Sequence, residues 1–582
     1  MSVQYTSHVD TFARDRLPPV EQWPEFRFEL PELRYPERIN CGQSILDDAL
    51  AEGHGDRIAL YFDGGHWTYA QLLDRSNRIA NVLTRELGLV PGNRVLLRGP
   101  NNPMLVACWL AVMKAGGIAV TTMPLLRAKE LSVMAQRARI DFALCDARFA
   151  AELQPVRAAG RLAHTVLYGE GAQGAEPAGL PSLEPLMDRQ PGTYANVDTA
   201  RDDVCLLAFT SGTTGTPKAT MHFHRDVLAM REVVAGHLLE TAADDIYVGS
   251  PPLGFTFGLG ALLVFPLGRR GAAVLVEQPS SENLLGAVQR YRATALFTAP
   301  TAYRALLGML PGYDLSSLRR CISAGEPLPK TVAQAWHAAT GIRIIDGIGA
   351  TEMIHIFISA KGEQIRPGAT GKPLPGYQAC ILDEAGKPLP PGNVGRLAVK
   401  GPTGCRYLDD PRQRDYVYEG WNLTGDRYYV DAQGYFWFQA RADDMIISGG
   451  YNIAGPEIEA ALLEHPAVHE CAVVGAPDEA RGQIVKAYVV LAPQYTATPA
   501  LAQALQDFVK RAIAPYKYPR AVEFLDALPK TQTGKVQRHV LRERAARTRS
   551  RREVPGTAEA GAAEAGTAEA GAAEASSVPH AP

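Results

Sequence analysis

Short apolar runs alternate with segments of helical period through most of this chain. That alternation restricts the fold to layered α/β architecture, with parallel strands joined by crossover helices. Segment 68–83 sets Leu72, Leu73, Ile79, Ala80 and Leu83 at helical spacing, with Thr68 placed as N-cap. A strand is expected at 94–97 and a helix at 104–115. Residues 204–209 form a buried strand candidate that runs directly into a Thr/Ser/Gly-rich loop. Further short strands fall at 295–298, 319–323 and 341–345. From about Ile381 turn clusters at 383–386 and 390–393 separate short strands such as 395–399, which marks a β-rich subdomain. After Arg441 the chain reads as a small α+β unit, with helices at 456–464 and 500–514 and strands at 470–474 and 485–491.

The predicted organisation is a large N-terminal α/β domain over 1–440, made of layered subdomains plus the β-rich one. A small α+β C-terminal domain covers 441–545, and a low-complexity tail covers 546–582. The tail carries four five-residue Gly/Ala/Thr/Glu repeats over 556–575, with no large apolar residue. Such a segment cannot bury enough surface to offset chain entropy, so disorder or a fraying helix is expected. The basic run just before it (Arg542, Arg544, Arg547, Arg549, Arg551 and Arg552) reads as a solvated helix end.

Composition closes off several classes. With 582 residues the chain holds roughly four domain equivalents at about 150 residues each. Lys+Arg total 59 against Asp+Glu 62, and the net charge of -3 argues against a basic nucleic-acid-binding surface. The eight cysteines (Cys41, Cys108, Cys145, Cys205, Cys321, Cys380, Cys405 and Cys471) form no CxxC pair, so zinc-ribbon and thioredoxin-like readings have no support. Free buried thiols in a reduced cytoplasmic protein are expected. No apolar run opens the chain, so no signal peptide is expected. The most apolar stretch, 104–113, falls short of the about 20 residues that span a bilayer. His222 and His224 stand at i,i+2, share a face only on a strand, and have no Cys or third His nearby in sequence. Packing rather than metal binding is expected for both.

The strongest local feature is Thr210-Ser211-Gly212-Thr213-Thr214-Gly215-Thr216-Pro217-Lys218. Glycine backbone N–H groups, hydroxyls and a lysine can converge on phosphate, although the GK[ST] ending of a Walker A loop is absent. Composition alone leaves a polar surface turn equally open. The whole string resembles the phosphate loop of the acyl-adenylate-forming superfamily, which includes acyl- and aryl-CoA ligases. Other motifs stand in that family's order: Gly349-Ala350-Thr351-Glu352, Thr424-Gly425-Asp426, Arg441-Ala442-Asp443-Asp444, Gly455-Pro456-Glu457-Ile458-Glu459 and, ending in Gly534-Lys535, the segment 529–535. The resemblance covers about residues 35–545.

It implies ATP, Mg²⁺ and CoA as co-substrates and cofactors, and it implies site roles residue by residue. Thr210, Ser211, Gly212, Thr213, Thr214, Gly215 and Lys218 would hold the β- and γ-phosphates. Thr351 would meet the α-phosphate and Glu352 would ligate Mg²⁺. Asp426 and Arg441 would face the ribose, while Gly325, Glu326, Asp346 and Gly347 would flank adenine. Lys535 would steady the charge of the first half-reaction. The small domain would then swing about Asp443, withdraw Lys535 and present Ser448, Gly449, Gly450 and Tyr451 to the thiol of CoA.

For the acid, Phe255 stands where many fatty-acyl enzymes have a histidine. Phe255 and Phe257, with the stretch 346–357, look like the benzoate-CoA ligase branch. The opening of the chain and Gly404-Cys405-Arg406-Tyr407-Leu408 look closer still to 2-aminobenzoate-CoA ligases. Phe257, Ala324, Gly349, His355 and Ile356 would line a flat slot for an aromatic acid. The alternatives are core Phe residues, a buried structural His355 and a medium-chain fatty acid, or an adenylation enzyme that loads a carrier protein. A monomer or homodimer is expected, with no nucleic-acid partner. One departure from the family pattern is Ala219, where glycine usually follows the loop lysine; its Cβ would reshape the loop if the position needed positive φ.

Overall fold

The computed structural model describes residues 5–169, 179–210, 217–448, 451–478, 481–513, 515–531 and 534–550. Two largely parallel sheets organise the first two-thirds of the chain. One runs His164–Tyr168, Phe142–Asp146, Arg94–Arg98, Ile118–Thr122, Val204–Thr210, Lys218–Phe223, parallel except for the final hairpin. The other has nine strands. Its parallel centre, from Ile344–Gly349 to Ile58–Phe62, is extended at both edges by antiparallel strands.

The intervening helices follow from local signals. Thr68 accepts from the Gln71 N–H while the Gln71 side chain reaches back, a reciprocal cap that starts Tyr69–Asn81. Pro103–Lys114 starts on an Asn102 cap and is apolar on all sides, as a helix enclosed between layers must be. Its terminal Lys114 is wholly buried and is paired with Asp47.

Beyond residue 377 comes the expected antiparallel subdomain, built on Gly395–Lys400 and Trp421–Val430. The small C-terminal domain is a sheet around the long hairpin Val468–Asp478/Gly482–Leu491, packed with Gly455–Leu462, Pro499–Ala512 and Arg538–Ser550. The molecule is thus a mixed α/β fold with a large N-terminal and a small C-terminal domain.

Three local expectations are refined. The strand expected from residue 341 starts at Ile344, because Gly341 (φ 74°) ends the preceding helix Lys330–Thr340 in the left-handed conformation. The C-terminal hairpin strands run several residues longer than their apolar stretches, since ladder pairing continues through polar positions. Ala219 pairs with Phe209 in the regular strand Lys218–Phe223, is fully buried, and is not among the described residues at positive φ. A methyl group therefore fits there without reshaping the hairpin.

Part of the basic run is neutralised locally, Arg542 by Asp444 and Arg544 by Glu523. Among the described residues no helix is long and apolar enough to cross a membrane. The repeats at 556–575 lie outside the described residues.

Ala219→Gly adds backbone freedom in a strand interior and removes a buried methyl. It should cost about 1–2 kcal/mol, read from the chemical denaturation midpoint. A stabilised variant would mean the methyl is strained.

Candidate active site

The segment 406–408 lies along the hairpin Val204–Thr210/Lys218–Phe223 as an extra strand. Met221 N–H donates to the Arg406 carbonyl (2.7 Å) and Leu408 N–H to that of Ala219 (2.9 Å). Alternation then turns neighbouring side chains opposite ways. Arg406 points into the core, fully buried, where it pairs with Asp226 and lies 3.9 Å over the Phe223 ring. Tyr407 points to the site, where its hydroxyl donates to Glu352 Oε1 at 2.5 Å and accepts from Lys218 Nζ at 3.2 Å. Burial, with Cys405 and Glu352 nearby, holds the Tyr407 phenol far above its ordinary pKa, so it stays a neutral donor.

Glu352 lies in the one-turn 3₁₀ helix Thr351–Met353. Two features fix that turn. His222 Nε2–H donates to the Thr351 carbonyl at 2.8 Å, with Nδ1 facing Asp226 at 3.7 Å. Ile354 closes the turn at φ 64°, a conformation a β-branched residue adopts only under constraint. Thr210 and Lys218 pair at the mouth of the hairpin, so they bracket the loop. Ser211, Gly212, Thr213, Thr214 and Gly215 lie outside the described residues.

Asp346 and Gly347 come from the strand Ile344–Gly349. Asp346 Oδ1 is buried without a hydrogen-bond partner, and burial pushes its carboxyl up to about 7 against the opposing Ser323 hydroxyl and Gly347 N–H. Asp426 and Arg441 sit opposite each other on adjacent antiparallel strands, with Arg441 Nη1 3.1 Å from Asp426 Oδ1.

Lys535 reaches over from the C-terminal domain to Gly325, whose missing Cβ would stand 3.7 Å from Lys535 Cε; Gly325 also holds φ 91°. Loss of water pulls the Lys535 ammonium below its usual value, and Arg441 adds to this while Glu326 and Asp426 oppose it. Burial raises Glu326 in turn, with Lys535 opposing. The structure therefore brings Gly325, Glu326, Asp426 and Arg441 close to Lys535 of the C-terminal domain.

A second cluster lies behind the Thr351–Met353 turn. The His355 imidazole stands edge-on to Phe265 (4.6 Å between centroids) and near Phe257 (5.7 Å). It is buried, with the Phe257 backbone as its hydrogen-bonding neighbour, and burial lowers its pKa to about 3, so it is neutral. A Cβ on Gly260 would lie 2.6 Å from His355 Nε2, and one on Gly349 2.9 Å from the His355 backbone. Ala324 and Ile356 are buried in the same core. Phe255 is half-buried and makes no ring contact among the described residues.

In the C-terminal domain Asp443 occupies the turn Ala442–Asp444, between the strands Phe436–Arg441 and Ile446–Ser448. Ser448 is buried with its Oγ unpartnered, and Tyr451 pairs with it in register. Gly449 and Gly450 lie outside the described residues.

Sequence reasoning gave no role to Tyr407, Arg406, Asp226 or His222. Residues 404–408 carried a signal as part of the resemblance, but their bonds to Glu352 and Asp226 depend on strand pairing between distant segments.

The chain belongs to the AMP-binding enzyme family: residues 48–406 match that family and 457–535 match the AMP-binding enzyme C-terminal domain. It is 36% identical to a benzoate–CoA ligase of Thauera aromatica over 523 residues, covering 88% of this chain and 97% of the relative. A crystal structure of the anthranilate CoA ligase AuaEII with anthranoyl-AMP superposes with a TM-score of 0.83 at 33% identity, covering 90% of this chain and 100% of that one. A benzoate CoA ligase from Burkholderia xenovorans LB400 gives 0.79 at 31%, covering 87% and 100%. The chain is an acid–thiol ligase of the benzoate-CoA ligase branch.

Two outcomes follow. Tyr407→Phe removes the hydrogen bond that anchors the Glu352 carboxylate and should cut kcat/KM for pyrophosphate release by about 10–100-fold in protein that still folds, with a modestly lowered Tm. Undiminished activity would show that Glu352 needs no anchor. Asp346 is protonated in the fold up to about 7 but ionised in the unfolded chain above about 3.8. Its contribution to stability therefore falls as pH rises through that window. Tm measured against pH should fall less steeply over that range in Asp346→Asn than in the wild type; parallel curves would refute the raised pKa.

Proposed function

We propose that the protein is an ATP-dependent aryl-CoA ligase acting on a benzoate or 2-aminobenzoate type of acid. In the first step the acid's carboxylate oxygen attacks the α-phosphorus of ATP. A P–O bond forms, the bond to the β-phosphate bridge breaks, and pyrophosphate leaves. In the second step the thiol sulfur of CoA attacks the acyl carbonyl, AMP departs with the bonding pair, and the thiol proton is released.

The reactants of the first step are both anions, so the site must neutralise charge and hold them in line. Lys218 and the loop it closes would take the distal phosphates, and Thr351 the α-phosphate. The carboxylate of Glu352, a hard oxygen donor steadied by Tyr407, fits Mg²⁺, which would supply charge neutralisation on the phosphates. Asp346 Oδ1, a buried acceptor without a partner, suits the exocyclic amine of adenine. Asp426 would accept from the ribose hydroxyls. Lys535 against Gly325 places a cation at the same cleft, the arrangement suited to adenylation. Rotation about Asp443 would withdraw it and bring Ser448–Tyr451 forward for the thiol.

The observation that carries the aryl reading is the enclosure of neutral His355 by the rings of Phe257 and Phe265, with glycines at 260 and 349 where any side chain would collide. Flat apolar walls with one polar edge suit a substituted ring better than a flexible chain. His355 is then free to hydrogen-bond an ortho substituent.

Pyrophosphate release measured with benzoate, 2-aminobenzoate, 2-hydroxybenzoate, phenylacetate and octanoate should favour the benzoates and turn over continuously only with CoA. Turnover on octanoate alone would overturn the pocket assignment while leaving the ligase chemistry. Lys535→Ala should lose adenylate formation, by about 100-fold or more, yet still convert supplied aryl-AMP to thioester. Equal loss of both steps would contradict the domain swing.

A further inference from the structure

His222, on the strand Lys218–Phe223, and His224, the first residue of the helix that follows, meet different partners. His222 serves the Thr351 turn, whereas His224 faces Cys41. There its Nδ1 lies 3.1 Å from the Cys41 sulfur, and the Cys205 sulfur completes a group whose three donor atoms all fall within 4.8 Å of one another. Cys41 and Cys205 are fully buried and His224 is 1% exposed. The three come from the segment before Gln43–Asp47, from the strand Val204–Thr210, and from the first residue of the helix His224–Met230. Nothing in sequence spacing joins them, since Cys41 and His224 are 183 positions apart.

We propose that Cys41, Cys205 and His224 bind one Zn²⁺ ion that ties the N-terminal segment to the base of the phosphate-loop hairpin. Donor type excludes Mg²⁺ and Ca²⁺, which need several oxygens. Charge separates the remaining candidates. Two thiolates and a neutral imidazole cancel the charge of a divalent zinc, so the complex enters the core neutral. Cu⁺ in the same place would leave a buried negative charge without a partner.

Without a metal the two thiols bond to each other and the cluster leans on one imidazole atom. A single Nδ1 lone pair is approached by both the Cys41 N–H (3.2 Å) and the Cys41 thiol. A further imidazole stands beside the group: His8 is nine-tenths buried, neither ring nitrogen has a partner, and His224 is close enough to disfavour a charge on it. Because the site opens to no solvent, the metal would be acquired during folding and retained through purification.

The test is metal analysis of the full-length protein, purified with reductant and without chelator or added metal. About one zinc per chain is expected, released in step with thiol modification by a mercurial. Cys205→Ala and His224→Ala should each reduce bound zinc at least tenfold. In case those variants fold poorly, wild-type protein produced in Co²⁺-supplemented medium provides a second readout, through thiolate-to-metal charge-transfer absorption. Wild-type protein that contains no zinc even when produced or refolded with micromolar zinc present, or that yields a Cys41–Cys205 disulfide on peptide mapping, would overturn the proposal. So would zinc content unchanged by Cys205→Ala.

Discussion

The buried ion pair between Arg406 and Asp226 is the interaction on which the candidate site rests. Both side chains are removed from water, so neither charge is tolerable without the other, and breaking such a pair costs about 3–5 kcal/mol. The pair fixes the strand that carries Tyr407, which in turn holds Glu352 and meets Lys218. Asp226 also faces His222, whose other nitrogen holds the Thr351 carbonyl. One buried charge thus positions both sides of the proposed phosphate site: the end of the glycine-rich loop and the acidic turn. Rigid support of this kind lets charged side chains be aimed before substrate arrives.

The cleft between the domains works by a different principle. Lys535 comes from a small domain with its own core, and the charges it meets are Glu326, Arg441 and Asp426. An ammonium held between partly desolvated carboxylates is attracted but incompletely satisfied. That balance suits a group that must enter for one step and leave for the next. The contrast with Arg406 is instructive: the immobile charge is buried and paired, while the charge proposed to move remains at an interface.

Local order was largely legible in the sequence. The Thr68 cap, the all-apolar Pro103–Lys114 helix and the strand before the phosphate loop each carry their signal within a few residues. Motif order gave the candidate residues, and in the structure Glu326, Arg441 and Asp426 lie near Lys535. Contacts that close between distant segments were not legible. Tyr407 with Glu352, Arg406 with Asp226, and Cys41 with His224 depend on which strands lie side by side, and no periodicity encodes that. Ala219 shows the converse error, a departure from a family pattern that matters little because the backbone there is an ordinary strand.

The central claim is that this cleft makes an aryl-adenylate and holds it for the thiol. Rapid quench of enzyme mixed with Mg·ATP and benzoate or 2-aminobenzoate, without CoA, tests it most directly. The account predicts bound aryl-AMP approaching one per chain, formed with matching pyrophosphate and converted to thioester when CoA is added. Absence of any enzyme-bound adenylate, with thioester still formed on adding CoA, would contradict it.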